Sequence, residues 1–551
     1  MKYLFYILLF FASRSHSQTC NYWSTYLGKT GSDDMRGITI DNNKNSYIIM
    51  QTDSPSLTVT PGLISDVING INDAYLAKFD SCGTLVWATY LGTSAFESGE
   101  KITICPDGNI AFTGYTQGTG LPTTLGCFQA NNAGQWDCFL GKISPTGALL
   151  WLTYFGSNGS DFAYDISCDF NGNLFIGGTT TSTNLYTNAS SFQQTFGGSN
   201  DAFIAKFSKN GILKWCTYYG GTGSEDIHVL STDAFGNVFG GGGTFSFNLS
   251  TSVGCIQASK DVGMDCYIIK FDSLGNRIFS SYIGGTGQDD TWGLATDGLG
   301  NLYMSGQTTS PNFTTTVGAY QSTITGMTDM YFLKISPTGS LMYSTLIGGS
   351  DVDAVNRMKI HNTELYILGT TGSLDFPMLG SSNYSVLPGV VNFVVIRLNS
   401  SGQPNYSTYF GSPGGNDYGN DLAITTQHMF FCGKTSSATY PVSASAFQSL
   451  YGGNDDGALT KIANNNASLI TKVNEAKLSR SEIVLYPNPT KEKLRIKTNS
   501  VLETKAEVIN YLGQWIKTAT IENSEIDVRE LSEGIYFLRI NNSIYKFIKI
   551  N

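Results

Sequence analysis

Charge is scarce in this chain of 551 residues: Asp, Glu, Lys and Arg make up 14% of it, against a usual ~25%. Histidine is scarcer, with four residues in all. Long apolar runs are missing too. The longest lies near the start, and nothing after it approaches the roughly 18 residues a membrane span needs, so no transmembrane segment is expected. Catalytic signatures are absent: there is no His-Glu-x-x-His and no Gly-x-Ser-x-Gly, and Gly28-Lys29-Thr30 and Gly433-Lys434-Thr435 lack the upstream Gly of a phosphate loop. An enzyme is not thereby excluded, because some folds assemble sites from scattered residues.

Glycine is plentiful instead, at 62 residues, as expected of many short strands joined by tight turns. Lys2, an apolar run from Tyr3 to Ala12 and Ser15-His16-Ser17 before Gln18 read as a signal peptide over residues 1–17. The alternative of a lipoprotein anchored through Cys20 is weaker, because Ser17 stands where a Leu or similar residue is expected. All ten cysteines lie at or beyond position 20 and so reach a compartment where disulfides persist. Residues 18–471 hold 18 Lys and Arg against 33 Asp and Glu, a net −15, whereas residues 472–551 hold 13 against 10, a net +3. The acidic larger part argues against a nucleic-acid partner.

The sequence repeats with a period of 64 residues. A segment beginning DAYLAKF at Asp73 has copies starting at Asp137, Asp201, Asp265, Asp329, Asn392 and Asp456. The closing half of the motif, WSTYLG at Trp23–Gly28, recurs with ends at Gly92, Gly156, Gly220, Gly284, Gly348 and Gly411. Starts and ends are displaced by one repeat, so the chain enters with a lone final strand and leaves without its partner. Pairing the two closes a ring and removes free sheet edges. Each unit reads as four strands, for example residues 36–40, 46–51, 74–79 and 84–91. Asp-x-x-Gly-Asn (Asp169–Asn173, Asp233–Asn237, Asp297–Asn301) marks the first hairpin and Ser-Pro-Thr-Gly the second. The expected fold over 18–463 is an all-β, seven-bladed β-propeller with four-stranded blades, closed by the N-terminal strand.

The long connection between second and third strands, as in residues 52–72, exceeds that of a familiar 40–50-residue blade. With Gly178-Thr179-Thr180, Phe376-Pro377, Phe192-Gln193 and Asp201–Phe207, the units resemble the bacterial SBBP β-propeller repeat, a resemblance that implies a fold and no common activity.

A polar linker over 464–481 precedes alternating strand-like segments over 482–551 that read as a small immunoglobulin-like β-sandwich. Tyr486-Pro487-Asn488-Pro489, the hairpin around Gly513, LSEGIYFL with Gly534, and the last residues resemble the C-terminal sorting domain of the type IX secretion system. That resemblance implies the type IX machinery as a partner, export across the outer membrane, and a secreted or surface location. A permanent stalk is the plainer alternative.

Cys127 and Cys138 lie eleven apart, and Cys255 and Cys266 occupy the same repeat positions 128 residues later. Two intrablade disulfides are expected, each stabilising by roughly 3 kcal/mol in the chain-entropy model; the alternative is buried free thiols. Zinc is disfavoured because the pairs lack nearby His. Acidic residues recur every 64 positions at Asp33, Glu97, Asp161, Glu225, Asp289, Asp353 and Asp417, in the turn joining one blade to the next. They are either calcium candidates or, the favoured reading, acceptors for backbone N–H groups of their own turns. No other cofactor is expected. A basic residue recurs in the third strand from Lys78 to Lys461, and Tyr26, Tyr90, Tyr154, Tyr218, Tyr282 and Tyr409 in the outer strand; both read as scaffold. His361 and His428 fall near turns and read as exposed. With loops such as 116–136 and 373–391 differing between blades, the first functional expectation is an extracellular binding or adhesion module whose long loops recognise a glycan or protein. A glycan-degrading enzyme with an acidic central pocket and a purely structural surface protein are the alternatives.

Overall fold

The computed structural model describes residues 20–380, 391–464, 484–486, 490–497, 505–510, 515–521, 524–540 and 543–550. The expected signal peptide and nearly all of the expected linker lie outside them. The chain divides into two compact units, Met1–Val473 and Asn474–Asn551. Among the described residues no helix is long and apolar enough to cross a membrane.

Among the described residues the first unit is all β, built as seven four-stranded antiparallel sheets in a propeller arrangement. The first sheet orders Asp33–Ile40, Ser46–Thr52, Asp73–Phe79 and Leu85–Leu91 from inside to outside. Five sheets repeat this plan, and the last completes Asp417–Ile424, His428–Thr435 and Asp456–Ala463 with Trp23–Leu27. That strand runs antiparallel to Asp456–Ala463, Trp23 facing Lys461 and Leu27 facing Gly457. The hairpins turn where the sequence marks them. Gly172 has φ 82° and Gly236 φ 79°, values that favour glycine, while Asp169 Oδ1 accepts from the backbone N–H of Asn171 and Asn173 at 2.9 Å each.

Alternation along the strands sends apolar side chains to both sheet faces, and each face is buried against the next sheet. Ile49, Leu76 and Leu91 of the first sheet pack with Phe112, Phe139 and Leu152 of the second. Trp23, Leu459 and Phe430 of the last pack with Met35, Ile48 and Tyr75 of the first. The core is thus a series of inter-sheet layers. At three junctions, those of Gly28, Gly156 and Gly284, a glycine lies between two carboxylates: a Cβ on Gly156 would stand 2.5 Å from Asp137 Cγ and 2.8 Å from Asp161 Oδ2, so no side chain fits there.

The long connections fold outward onto the outer strand. Tyr218 Oη accepts from Leu185 N (2.8 Å) and donates to Ser182 O (2.7 Å), and Tyr154, Tyr282 and Tyr26 make the equivalent pair of bonds. The Gln of the Phe-Gln motif braces the same loop: Gln193 accepts from Gly220 N at 3.0 Å and donates to Asp201 Oδ2 at 3.0 Å. These tyrosines therefore pack and also staple the loops.

The second unit has a three-stranded sheet (Val484–Tyr486, Lys493–Lys497, Glu525–Asp527) and a four-stranded one (Trp515–Thr520, Lys505–Asn510, Gly534–Ile540, Ser543–Lys549). Leu494, Ile526, Val508, Leu538 and Phe547 share one core. Of the sorting-motif residues, Tyr486 and Gly534 stand at a strand end and a strand start; Pro487, Asn488, Pro489 and Gly513 lie outside the described residues.

Candidate functional site

Six of the seven recurring carboxylates open the innermost strands rather than sitting in the turns before them, each being the first residue to pair with the second strand; Asp33 faces Thr52 and Asp161 faces Thr180, whereas Glu225 makes an isolated bridge to Thr244 ahead of Val229–Thr232. Each accepts hydrogen bonds from its own surroundings. Asp33 accepts from Thr52 Oγ1 (2.5 Å), Ser54 Oγ (2.8 Å) and Lys29 N (2.9 Å). Glu97 accepts from Thr93 N and Thr116 Oγ1, Asp161 from Ser157 N and Ser182 Oγ, and Glu225 from Gly221 N and Thr244 Oγ1. Asp289 and Asp353 bond Ser310 and Ser373, and Asp417 takes Ser412 N and Asn392 Nδ2. All seven are buried, one per sheet junction, and they do not converge on a common point. The recurring lysines reach the hairpin turns, as Lys206 does Asp169 (3.7 Å) and Lys270 does Asp233 (3.5 Å).

The two disulfides expected from the repeat are not formed: Cys127, Cys138, Cys255 and Cys266 are free thiols, and Cys20 is bonded to Cys82. Register explains why. Thr124 N bonds Leu152 O and Cys127 N bonds Thr124 O, which holds Cys127 beside the outer strand at the level of Leu152. Cys138 pairs with Phe155, and Leu152 with Gly141. Three residues of strand separate the two levels, ~10 Å, beyond the ~7 Å Cα separation a disulfide tolerates. Cys255 and Cys266 repeat the geometry.

Seven residues that the sequence did not single out line the axis. In each innermost strand the pairing register slips by one residue, leaving out Arg36, Glu100, Tyr164, Trp292, Asn356 and Asn420 in six sheets. In the remaining sheet His228 N bonds Gly241 O although Gly241 is paired with Val229. A β-bulge re-aims the extra side chain, and these seven, with Tyr115, Lys101 and Arg357, surround one cavity of about 330 Å³.

One arc of its rim is aromatic. The Trp292 and His228 rings stack at 4.1 Å and 14°, and Tyr164 lies 6.0 Å from His228. Tyr164 stacks on Phe162 (6.3 Å, 8°), which meets Tyr115 edge-on at 5.0 Å and Trp136 at 5.6 Å. The opposite arc is polar. Arg36 Nε lies 2.9 Å from Asp34 and its Nη1 3.6 Å from Glu100; Asn420 Nδ2 donates to Asp34 Oδ1 at 2.6 Å. Burial alone would lower the Arg36 pKa, but Glu100 and Asp34 outweigh it and hold the pKa above its usual value.

His228 is held from both sides, with Nδ1 3.2 Å from Asp290 and Nε2 3.3 Å from Asp226. Burial opposes its protonation, yet Asp290 and then Asp226 raise its pKa well above the ordinary histidine value, which favours the imidazolium form. Asp290 also accepts from Thr291 N (2.8 Å) and Trp292 Nε1 (3.0 Å). Asp226, His228 and Asp290 offer ligand atoms within 4.8 Å of one another, but both ring nitrogens already face carboxylates, which suits a proton better than a shared ion.

A charged layer closes the floor. Arg357 Nη2 donates to both Asp165 oxygens at 2.9 Å, and its Nε lies 3.3 Å from Asp421 Oδ1. Lys101 Nζ lies 3.7 Å from Asp421 Oδ2. Burial would raise the Asp421 carboxyl, but Lys101 and Arg357 hold it below its usual value. Of the histidines expected to be exposed, His428 is instead buried; desolvation, then Lys461 and Lys44, push its pKa down to about 4.

The signal for the axial ring was present in the repeat. The residue three places after each recurring acid is Arg, Glu, Tyr, His, Trp, Asn and Asn in turn. A scaffold position repeats its chemistry, whereas this column changes at nearly every step.

Comparison with known proteins agrees with the sequence resemblance. Residues 23–55, 150–186 and 278–314 match the SBBP β-propeller repeat, and residues 484–550 match the secretion system C-terminal sorting domain. The chain therefore carries SBBP-type propeller repeats followed by a type IX sorting domain, which indicates export to the cell surface or the medium. An uncharacterised WD repeat-containing protein of Acanthamoeba polyphaga mimivirus is 22% identical over 51% of this chain and 23% of its own length. A regulatory protein, FlaEY, of Caulobacter vibrioides is 24% identical over 55% of this chain and 33% of its own. The chain thus spans a third or less of the length of these relatives. Among solved structures, the polysaccharide lyase Uly1 aligns with TM-score 0.38 at 10% identity over 78% of this chain and 90% of its own. A fungal alcohol oxidase in complex with copper aligns with TM-score 0.39 at 12% identity over 96% and 98%.

Proposed function

We propose that this chain is a secreted or surface-held binding module that takes a glycan at the axial mouth of its propeller, and not through its long loops. The observation that carries this reading is the ring of seven bulge residues, nearly all different, around one cavity. Half of the rim offers ring faces that suit the C–H faces of a pyranose. The other half offers a guanidinium, carboxylates and side-chain amides that suit its hydroxyl groups. The loops are tied down on the outer strands instead. The reading takes residues 1–17 as signal peptide, 18–463 as one seven-bladed ring closed through the pairing of Trp23–Leu27 with Asp456–Ala463, 464–481 as linker and 482–551 as an immunoglobulin-like sorting domain engaged by the type IX machinery. Inter-sheet core layers that join the last sheet to the first support the closed ring.

The test is an array of glycans and extracellular matrix proteins probed with the full-length protein and with W292A. Binding to a sugar that falls at least tenfold in W292A is the expected result; a blank array, or glycan binding untouched by W292A, would overturn the assignment. A second reading, an enzyme that cleaves the bound glycan, is favoured by His228 alone, whose imidazolium can donate a proton beside Tyr164 but cannot accept one. New reducing or unsaturated ends from the sugar identified on the array, lost in H228Q, would establish it.

A further inference from the structure

Two positions break the repeat in neighbouring sheets, and the breaks meet. The first hairpin opens with Asp41, Asp169, Asp233 and Asp297 in four sheets, but with Cys105 in the second. Those carboxylates brace their own turns, as Asp41 does by accepting from Asn45 N at 2.9 Å. Cys105 keeps the turn's backbone bonds to Asn109 and Gly108, and its sulfur does not supply the bracing bonds. The residue before the turn is Ile40, Ile104, Thr232, Thr296, Ile360 or Ile424 elsewhere, and Cys168 in the third sheet. Each substitution alone loses something most of the other sheets have: an Asp turn brace in one case, an apolar or hydroxyl side chain in the other. Together they place Cys168 Sγ 3.0 Å from Cys105 Sγ, within about 1 Å of the ~2.05 Å of a disulfide and closer than two sulfurs that merely pack.

We propose that Cys105 and Cys168 form a dithiol site that is oxidised to a covalent clasp between the second and third sheets, by exchange with small-molecule or protein disulfides in the export compartment. The surroundings suit the chemistry. Cys168 is half-buried, so an incoming disulfide can reach it, while Cys105 is buried directly behind. Lys142, whose counterparts Lys206 and Lys270 pair with the aspartates that open their turns, finds Cys105 at that position and pairs instead with Asp107, in the middle of the turn, at 2.8 Å. The bond from Cys168, and then Lys142, outweigh burial and hold the Cys105 thiol below its ordinary pKa, while the same bond, and then burial, push Cys168 up, so the two sulfurs share one proton and one thiolate between them.

In the exchange, Cys168 gives up its proton and attacks a disulfide X–S–S–Y, forming Cys168–S–S–X and releasing Y as its thiolate. The Cys105 thiolate then attacks the Cys168 sulfur, the Cys105–Cys168 bond forms, and X leaves. The two protons of the cysteine thiols end on the X and Y thiols, and the two electrons lost by the cysteines reduce X–S–S–Y. The site is separate from the axial mouth and stands or falls independently of the glycan reading.

The test begins with the reduced full-length protein and oxidised glutathione, whose concentration is raised until the Cys20–Cys82 link is complete. The sample is then quenched with acid and N-ethylmaleimide and mapped by mass spectrometry without reductant. The expected result is a peptide pair linked through Cys105 and Cys168 in the wild type. In C168S that pair disappears and Cys105 is recovered alkylated or carrying glutathione. Recovery of both wild-type cysteines as alkylated thiols, as separate glutathione adducts, or linked to other partners would overturn the proposal.

Discussion

Arg357 crosses the floor of the axial cavity to reach two carboxylates from other sheets, and its replacement by Met tests whether that layer holds the propeller together. The guanidinium makes a bidentate pair with Asp165 at 2.9 Å and a further contact with Asp421 at 3.3 Å. Asp165 and Asp421 are buried, and Arg357 is nearly so. Methionine fills much of the side chain's volume but carries no charge, so R357M leaves Asp165 hydrogen-bonded only to the backbone N–H groups of Ile166 and Leu230, with Lys359 the remaining cation that acts on both carboxylates. Asp421 keeps Lys101. Removing one partner of a buried ion pair costs about 3–5 kcal/mol, because the remaining charge stays desolvated. With one carboxylate stranded and the other still partnered, the lower half of that range applies, about 3–4 kcal/mol. Urea denaturation of the full-length protein, followed by tryptophan fluorescence and far-ultraviolet circular dichroism, measures it. D165N/R357M should recover more than half of the loss, since the uncompensated charge is then gone. A loss below about 1 kcal/mol for R357M, or a double variant less stable than the single, would refute the reasoning.

Y218F removes the hydroxyl that accepts from Leu185 N and donates to Ser182 O, leaving a buried N–H without its partner; the expected cost is about 1–3 kcal/mol, read in the same denaturation. The equivalent residue of the fifth sheet is Leu346, so L346Y offers the reverse change, and a Y218F protein as stable as wild type would sink the staple. Stability should also rise as pH is lowered from 7.5 to about 5. Burial first, and neighbouring carboxylates with it, raise Asp73, Asp137, Asp201, Asp265, Asp353 and Asp456 to about 6. A raised acid binds more protons folded than unfolded, so its contribution is full below its unfolded pKa and is lost as pH rises through about 6. His428, lowered to about 4, works in the opposite direction below its unfolded pKa, but it is one group against six. Greater stability at pH 7.5 than at pH 5 would contradict this sign.

Much of the fold could be read from spacing. The displacement of WSTYLG against DAYLAKF by one repeat implied that the first strand pairs with the last, and Trp23–Leu27 does pair with Asp456–Ala463. The hairpin turns were legible because Asp-x-x-Gly-Asn states its backbone requirement locally. The cysteines were not: Cys127 and Cys138 sit close in sequence, but a connection that folds outward carries one of them to the level of Leu152 while Cys138 stays with Phe155. The axial site is not legible from periodicity, because its column changes residue type from sheet to sheet and only the one-residue slip of register turns it inward.

The sequence by itself determined the 64-residue period, the strands and turns within it, and the sorting tail, because each depends on residue types at fixed local separations. Tertiary structure alone decided which side chains share space. A one-residue slip of register turns Arg36, Glu100, Tyr164, His228, Trp292, Asn356 and Asn420 toward one axis, and the packing of adjacent sheets brings Cys105 to Cys168. Residues 63 or more apart become neighbours only when the sheets stand side by side, and no local pattern of the chain carries that distance.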